Sequence, residues 1–240
     1  MIRVEQVSKS FSGRLVLDRV SFEVPDRRVV VILGPSGIGK TVLLRVMTGL
    51  LAPDSGRVSY DGLVVRYGAF SDNRAVLRQL GFVFQGGALF DSIDVAGNVG
   101  LPLSELDRLG SEERRARVQA VLERVGMLEC AQRWPRELSG GMIRLVAIAR
   151  ALVRDPRYLF LDEPTSGLDP VMKERICRLI AGLRDEEGKT EVVVSHDLEA
   201  VKAVADEIFM LREARLVPLE RVRKEDYRVG CSQWLVGNRP

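Results

Sequence analysis

Two hydrophobic periods take turns along the chain. Residues 2 to 7 and 20 to 24 alternate apolar and polar side chains, with glycine and polar breaks between them, and predict strands of an antiparallel edge layer. RVVVIL (28–33) is instead a continuous β-branched run, as a strand buried on both faces requires. GFVF (81–84), RYLFLD (157–162) and EVVVSH (191–196) repeat that theme, each ending at or beside a polar residue. A helical period takes over in TVLLRVMTGL (41–50), SEERRARVQAVLERVGM (111–127) and IRLVAIARALV (143–153). No strand candidate lies between roughly residues 90 and 155. The pattern predicts an α/β protein: a parallel-sheet core (1–88 and 156–215), an antiparallel β edge layer, an inserted α-helical subdomain (89–155), and a charged, irregular tail (216–240).

Charge narrows the partners. Thirty-six basic against 33 acidic residues leave a net +3, which lacks the concentrated basic field of a nucleic-acid binder. Cys130, Cys177 and Cys231 are odd in number and far apart, so they read as reduced thiols rather than a disulfide or zinc framework. No apolar run approaches the roughly 18 residues of a membrane span, and the first residues do not look like a signal peptide. The expectation is a cytosolic chain, for which any membrane role must come through a partner.

The chemistry begins with Gly34, Pro35, Ser36, Gly37, Ile38, Gly39, Lys40 and Thr41, which fit G-x-x-x-x-G-K-[ST] between a strand and a helix. Glycines there let backbone N–H groups turn toward phosphate oxygens. Lys40 adds a point charge, Thr41 a hydroxyl for Mg²⁺, and the helix N-terminus its positive dipole end. Asp162 ends a buried strand with Glu163 beside it: one carboxylate to hold Mg²⁺, the next to take a proton from water. Read alone, the pair could equally open a loop. His196, the single histidine, also ends a strand, at the edge where open α/β sheets bind ligands. Gln85 follows another strand, where an amide could ligate Mg²⁺ or the attacking water. A second glycine-softened helix start, ELSGGM (137–142), repeats the shape of a phosphate cradle about 100 residues after the first.

These elements, in this order, resemble the ATP-binding-cassette (ABC) ATPase family over residues 1 to about 215, through Phe11, the phosphate loop, Gln85, LSGG (138–141), LFLDE (159–163), SGLD (166–169) and His196. The resemblance implies a P-loop NTPase (RecA-like) core binding ATP and Mg²⁺. It also implies a head-to-tail pair of ATPases, in which the signature residues Leu138, Ser139, Gly140, Gly141 and Met142 of one copy cap the ATP held by the other. By the same resemblance Phe11 stacks on adenine, and Val42 joins the phosphate loop in binding ATP through its backbone N–H, without a side-chain bond to the α-phosphate. Thr41, Gln85 and Asp162 hold the metal, Glu163 is the general base, and His196 contacts the γ-phosphate. Ser166, Gly167, Leu168 and Asp169 form the loop linking the two sites. Two positions depart from the family pattern: Val42 replaces a hydroxyl residue, and Leu145 stands where arginine is usual, with Arg144 adjacent.

Met142 and the stretch FQGGALFDSIDVAGNVGLPL (84–103) look like the ATPases of Mla-type and Mce-associated phospholipid transporters. That branch implies membrane permease subunits, an Mce-type lipid-binding protein, and a place on the cytoplasmic side of the inner (plasma) membrane. Leu89, Phe90, Ile93, Val95 and Val99 are expected either to line a groove for a permease helix or to pack within their own helical lobe. Residues 225–237 resemble the tail of these ATPases, with Tyr227 and Trp234 at altered positions. The alternatives are a cassette for another substrate or for lipoprotein release, and a membrane-signalling ABC module that moves nothing.

Overall fold

The computed structural model describes residues 1–68, 73–104, 109–198, 202 and 204–219. The first strands, β1 (Ile2–Phe11) and β2 (Arg14–Val24), form a hairpin longer than the alternation alone predicts. Register shifts interrupt their pairing, and Gln6 and Arg19 sit at φ 51° and 46°. Each bulge resets the period of two, which hides the middle of the strands from pattern reading. With β4 (Ser55–Tyr60) and β5 (Leu63–Val64) they make a four-stranded antiparallel sheet in the order β2-β1-β4-β5.

Among the described residues the second sheet has six strands, ordered β10-β9-β3-β8-β7-β6. Its parallel part consists of β3 (Val29–Leu33), β6 (Leu80–Val83), β7 (Tyr158–Asp162), β8 (Thr190–Ser195) and β9 (Glu207–Arg212). The short β10 (Arg215–Pro218) pairs antiparallel with β9. Regular pairing thus continues past residue 215, where the sequence places the start of the tail. The tail's expected docking segment, 225–237, lies outside the described residues.

The sheet is apolar on both faces because each core strand feeds both hydrophobic clusters. Val29, Val31 and Leu33 face the helical side, while Val30 and Ile32 face the antiparallel sheet. Leu159 and Leu161 are likewise set against Tyr158 and Phe160. Fully burying such side chains is worth roughly 1.5–3 kcal/mol each. That explains why these runs read as unbroken apolar stretches.

Among the described residues the α-helices are α1 (Lys40–Met47), α2 (Arg74–Leu77), α3 (Val95–Pro102), α4 (Ser111–Arg124), α5 (Gly140–Leu152) and α6 (Pro170–Glu187). Between α3 and α5 the described residues hold helix, turns and short 3₁₀ segments and no strand. Val95 and Val99 are completely buried in the core, so of the two expectations for them packing within the lobe holds, and they line no groove. Phe90, by contrast, is 53% exposed.

Register decides where chemistry collects. Leu33 is level with Ser195, Asp162 with Val194, and Val83 with Leu161. The chain therefore leaves β3, β8, β7 and β6 along one edge. There it delivers the 34–41 loop, His196, Glu163 and Gln85 to a common rim.

Candidate nucleotide site

The loop after β3 is shaped by Gly37 and Gly39, at φ 78° and 119°. A Cβ on Gly39 would sit 2.6 Å from Val16 Cγ1, so backbone strain and packing both demand glycine there. This turn sends Lys40 inward at the first position of α1, where it is buried. Its ammonium donates to the Gly34 carbonyl at 2.7 Å and the Pro35 carbonyl at 3.0 Å, and lies 3.2 Å from Glu163 Oε1. Three oxygens thus converge on one cation.

Glu163 takes φ 51°, an unfavourable left-handed conformation held by its N–H donating to the Val194 carbonyl at 3.0 Å. Strain of this kind costs about 1–3 kcal/mol. It turns a carboxylate at the end of a buried strand across the rim. Oε2 accepts from His196 Nδ1 at 2.7 Å, which fixes the imidazole tautomer and leaves Nε2 as its outward nitrogen. The histidine side chain is 45% exposed and the glutamate 7%. Asp197 supports this corner from behind: its N–H donates to Ser195 Oγ at 3.0 Å and its carboxylate pairs with Lys173 at 2.6 Å.

Thr41 Oγ1 donates to Asp162 Oδ1 at 3.1 Å. Burial pushes the Asp162 carboxyl up, opposed by the Thr41 hydrogen bond and by the Lys40 charge. A buried carboxylate beside a hydroxyl is an all-oxygen, hard donor pair, which fits Mg²⁺ and not a soft metal. Gln85 stands on the same rim and is exposed. Phe11 is 44% exposed at the end of β1, with Lys9 Nζ 5.5 Å from its ring centroid. Val42, behind the loop, packs on the core cluster between the sheets.

The second glycine-softened turn lies apart from the first. Ser139 caps α5, its Oγ accepting from Met142 N at 3.4 Å. Gly140 is exposed, whereas Gly141 is buried against α6, where a Cβ would meet Met172 Cγ at 2.6 Å. Leu138 and Met142 pack on the helical-side core. The 166–169 loop runs into α6, capped by Asp169 Oδ1 accepting from Met172 N at 3.0 Å. Among the described residues no side-chain hydrogen bond joins 138–142 to 34–41.

One buried residue near the rim figures in the sequence only as a neighbour of Leu145. Arg144 is 6% exposed and donates to the Phe84 carbonyl at 3.3 Å, with Asp162 and Glu163 close enough to counter the effect of its burial. Leu145, where the family pattern puts arginine, is core. The guanidinium beside the carboxylates is that of the preceding residue.

The family model described as "ABC transporter" matches residues 17–166, and one described as "AAA domain, putative AbiEii toxin, Type IV TA system" matches 133–202. The chain is 45% identical over 219 residues to the methionine import ATP-binding protein MetN 3 of Pseudomonas fluorescens, covering 90% of this chain and 67% of that protein. It is 38% identical over 217 residues to the intermembrane phospholipid transport system ATP-binding protein MlaF of Escherichia coli K12, covering 90% and 81%. Among solved structures, the dimeric post-hydrolysis state of the ATP-binding cassette MJ0796 bound to ADP and Pi superposes with a TM-score of 0.83 at 32% identity, covering 90% of this chain and 96% of that one. With the phosphate loop, the strand-end carboxylates and the signature turn all in place, the chain belongs to the ATP-binding subunits of ABC transporters.

Proposed function

We propose that this chain hydrolyses ATP as one of two identical subunits and thereby drives phospholipid movement through a membrane permease. The observation that carries the hydrolysis is Glu163, suspended between Lys40 and His196 at 3.2 and 2.7 Å. When the phosphates of ATP take Lys40, the carboxylate is released from its cation yet stays oriented by the imidazole. It can then accept a proton from water attacking the γ-phosphorus, while His196 Nε2 meets the γ-phosphate. Thr41, Asp162 and Gln85 would hold Mg²⁺, which when bound neutralises charge on the β- and γ-phosphates. Phe11 would stack on the adenine ring.

The exposed Ser139 and Gly140 support a paired arrangement, since a helix N-terminus with Ser139 as cap is a ready anion site and here stands outside its own phosphate loop's bonding network. The second copy's γ-phosphate is its proposed ligand, and ADP, lacking that phosphate, would let the pair open. The solved dimers of the cassette MJ0796 support pairing as such.

Phospholipid is favoured by Met142 after LSGG, by the 84–103 stretch, and by similarity to MlaF over most of both chains. Methionine import is the second reading, favoured by the 45% identity to MetN 3. The two separate by partners. Tagged Glu163→Gln, trapped with ATP in its native membrane and gently solubilised, is expected to bring down a permease, an Mce-type lipid-binding protein and phospholipid. A permease stimulated by methionine, with no lipid, would remove the lipid claim and leave the ATPase chemistry standing.

A further inference from the structure

The loop carrying Gln85 has an unusual backbone. Gly86, Gly87 and Ala88 follow one another at φ 78°, 88° and 47°. Three consecutive left-handed residues do not hold themselves in place, and for Ala88 the conformation is strained. The carbonyls turned out by this path converge on one side chain: Arg150, from the last turn of α5, donates to Ala88 O at 2.7 Å and to Gly87 O at 2.8 Å. Earlier on α5, Arg144 donates to Phe84 O at 3.3 Å, the same carbonyl that accepts Gly87 N at 2.9 Å to close the turn. Ile143, next to Arg144 on the same helix, lies where a Cβ on Gly87 would have to go, 2.7 Å from its Cγ2. At the far end, fully buried Asn98 of α3 accepts from Phe90 N at 2.7 Å and returns an N–H to Phe90 O at 3.0 Å.

We propose that Arg150, with Arg144 and Asn98, forms a clasp that makes the Gln85 loop part of the helical insert, so that Gln85 is positioned by the signature helix α5. These are positioning residues, because each acts on backbone and only Gln85 would reach the metal. Arginine suits this role, since its rigid fork satisfies two diverging carbonyls at once, which a lysine ammonium does with less geometric control. The link to metal rests on the function proposed above; the clasp itself does not.

The test is hydrogen–deuterium exchange on the full chain without nucleotide, comparing Arg150→Ala and Arg150→Lys with the parent. Losing two hydrogen bonds to a strained turn is expected to speed exchange across 84–90 by about tenfold, with Lys intermediate and the core strands 29–33 and 158–162 unchanged. Unchanged exchange in 84–90, or a uniform rise along the whole chain, overturns the clasp. Should Arg150→Ala fail to fold, Arg150→Lys carries the same test. In the permease complex, Arg150→Ala is further expected to raise the Mg²⁺ concentration for half-maximal ATPase several-fold, with no additional effect in Gln85→Ala. Multiplying effects would refute positioning through Gln85. A parent chain that hydrolyses nothing would sink the function reading while leaving the exchange result to decide the clasp.

Discussion

The two glycine-softened helix starts share one local shape and live in opposite surroundings. At 34–41 the turn is finished from within: Lys40 is buried, Thr41 meets Asp162, and Glu163 and His196 close the rim. At 138–142 the turn is half-finished: Ser139 and Gly140 are exposed, and the cap bond is long at 3.4 Å. A motif that costs backbone freedom and then uses little of it internally points outward. The difference teaches that one start has its partners within its own copy, while the other leaves its exposed groups for the second copy under the proposed pairing.

The largest expected effect tests the finished half. Glu163→Gln keeps the shape and the neighbours but cannot take a proton, so kcat in the permease complex should fall about 10²–10⁴-fold while ATP binding persists. Retention of parental turnover would move the base elsewhere on the rim.

Next comes a direct attack on the division of labour. A Lys40→Ala chain lacks a working phosphate loop, and a Ser139→Arg chain blocks the signature turn. Each alone should be inactive. Mixed in equal amounts, about half the pairs are hybrid and each hybrid holds one site with both halves intact, so about a quarter of the parental sites should reappear. If mixing restores nothing while hybrids form, the two turns do not complete one another across copies.

How much of this is readable from sequence depends on the kind of interaction. The phosphate loop, Asp162, Glu163 and His196 follow from a motif or from position at the end of an apolar run, both one-dimensional signals. The clasp does not, because its acceptors are carbonyls, which have no letter in a sequence, and Arg150 lies 63 residues from Gly87. Bulges hide the middles of β1 and β2, and charged surroundings hide β10. Arg144 is visible only as a neighbour of the position where arginine is usual. Val95 and Val99 show the limit of apolar pattern alone: it marks a face to be covered and does not say by what.

A smaller effect contrasts the two ends of β8. At the rim end, charges are partnered. At the other end Glu191 is wholly buried, and neither carboxylate oxygen has a hydrogen-bond partner among the described residues. Burial drives its pKa well above the ordinary carboxylate range, against the pull of Arg184, Arg124 and Lys189. A raised folded-state pKa means that the fold accommodates the neutral acid. This contribution is complete below the unfolded carboxylate range and is lost as pH rises through the folded value. Glu191→Gln should therefore stabilise the chain at about pH 7–8, by about 1–3 kcal/mol, with the gain shrinking toward about pH 4 in denaturant titrations. A variant that is less stable near neutral pH would mean that the basic neighbours offset the cost of the buried charge.

The smallest effect returns to the signature turn. Ser139 and Asp169 both cap helices, and both accept from the N–H three residues on, but at 3.4 and 3.0 Å. Loss of an N-cap usually costs about 0.5–2 kcal/mol, and a long, exposed bond belongs at the bottom of that range. Ser139→Ala should then lower the stability of the isolated chain by about 0.5 kcal/mol, and Asp169→Ala by about 1 kcal/mol. A hydroxyl that holds its own helix so loosely has donor and lone-pair capacity left for a ligand, which is what the unfinished half of a shared site requires. If thermal melts instead show Ser139→Ala to be the more costly of the two, the hydroxyl is committed to its own helix and the contrast between the turns loses its strongest residue.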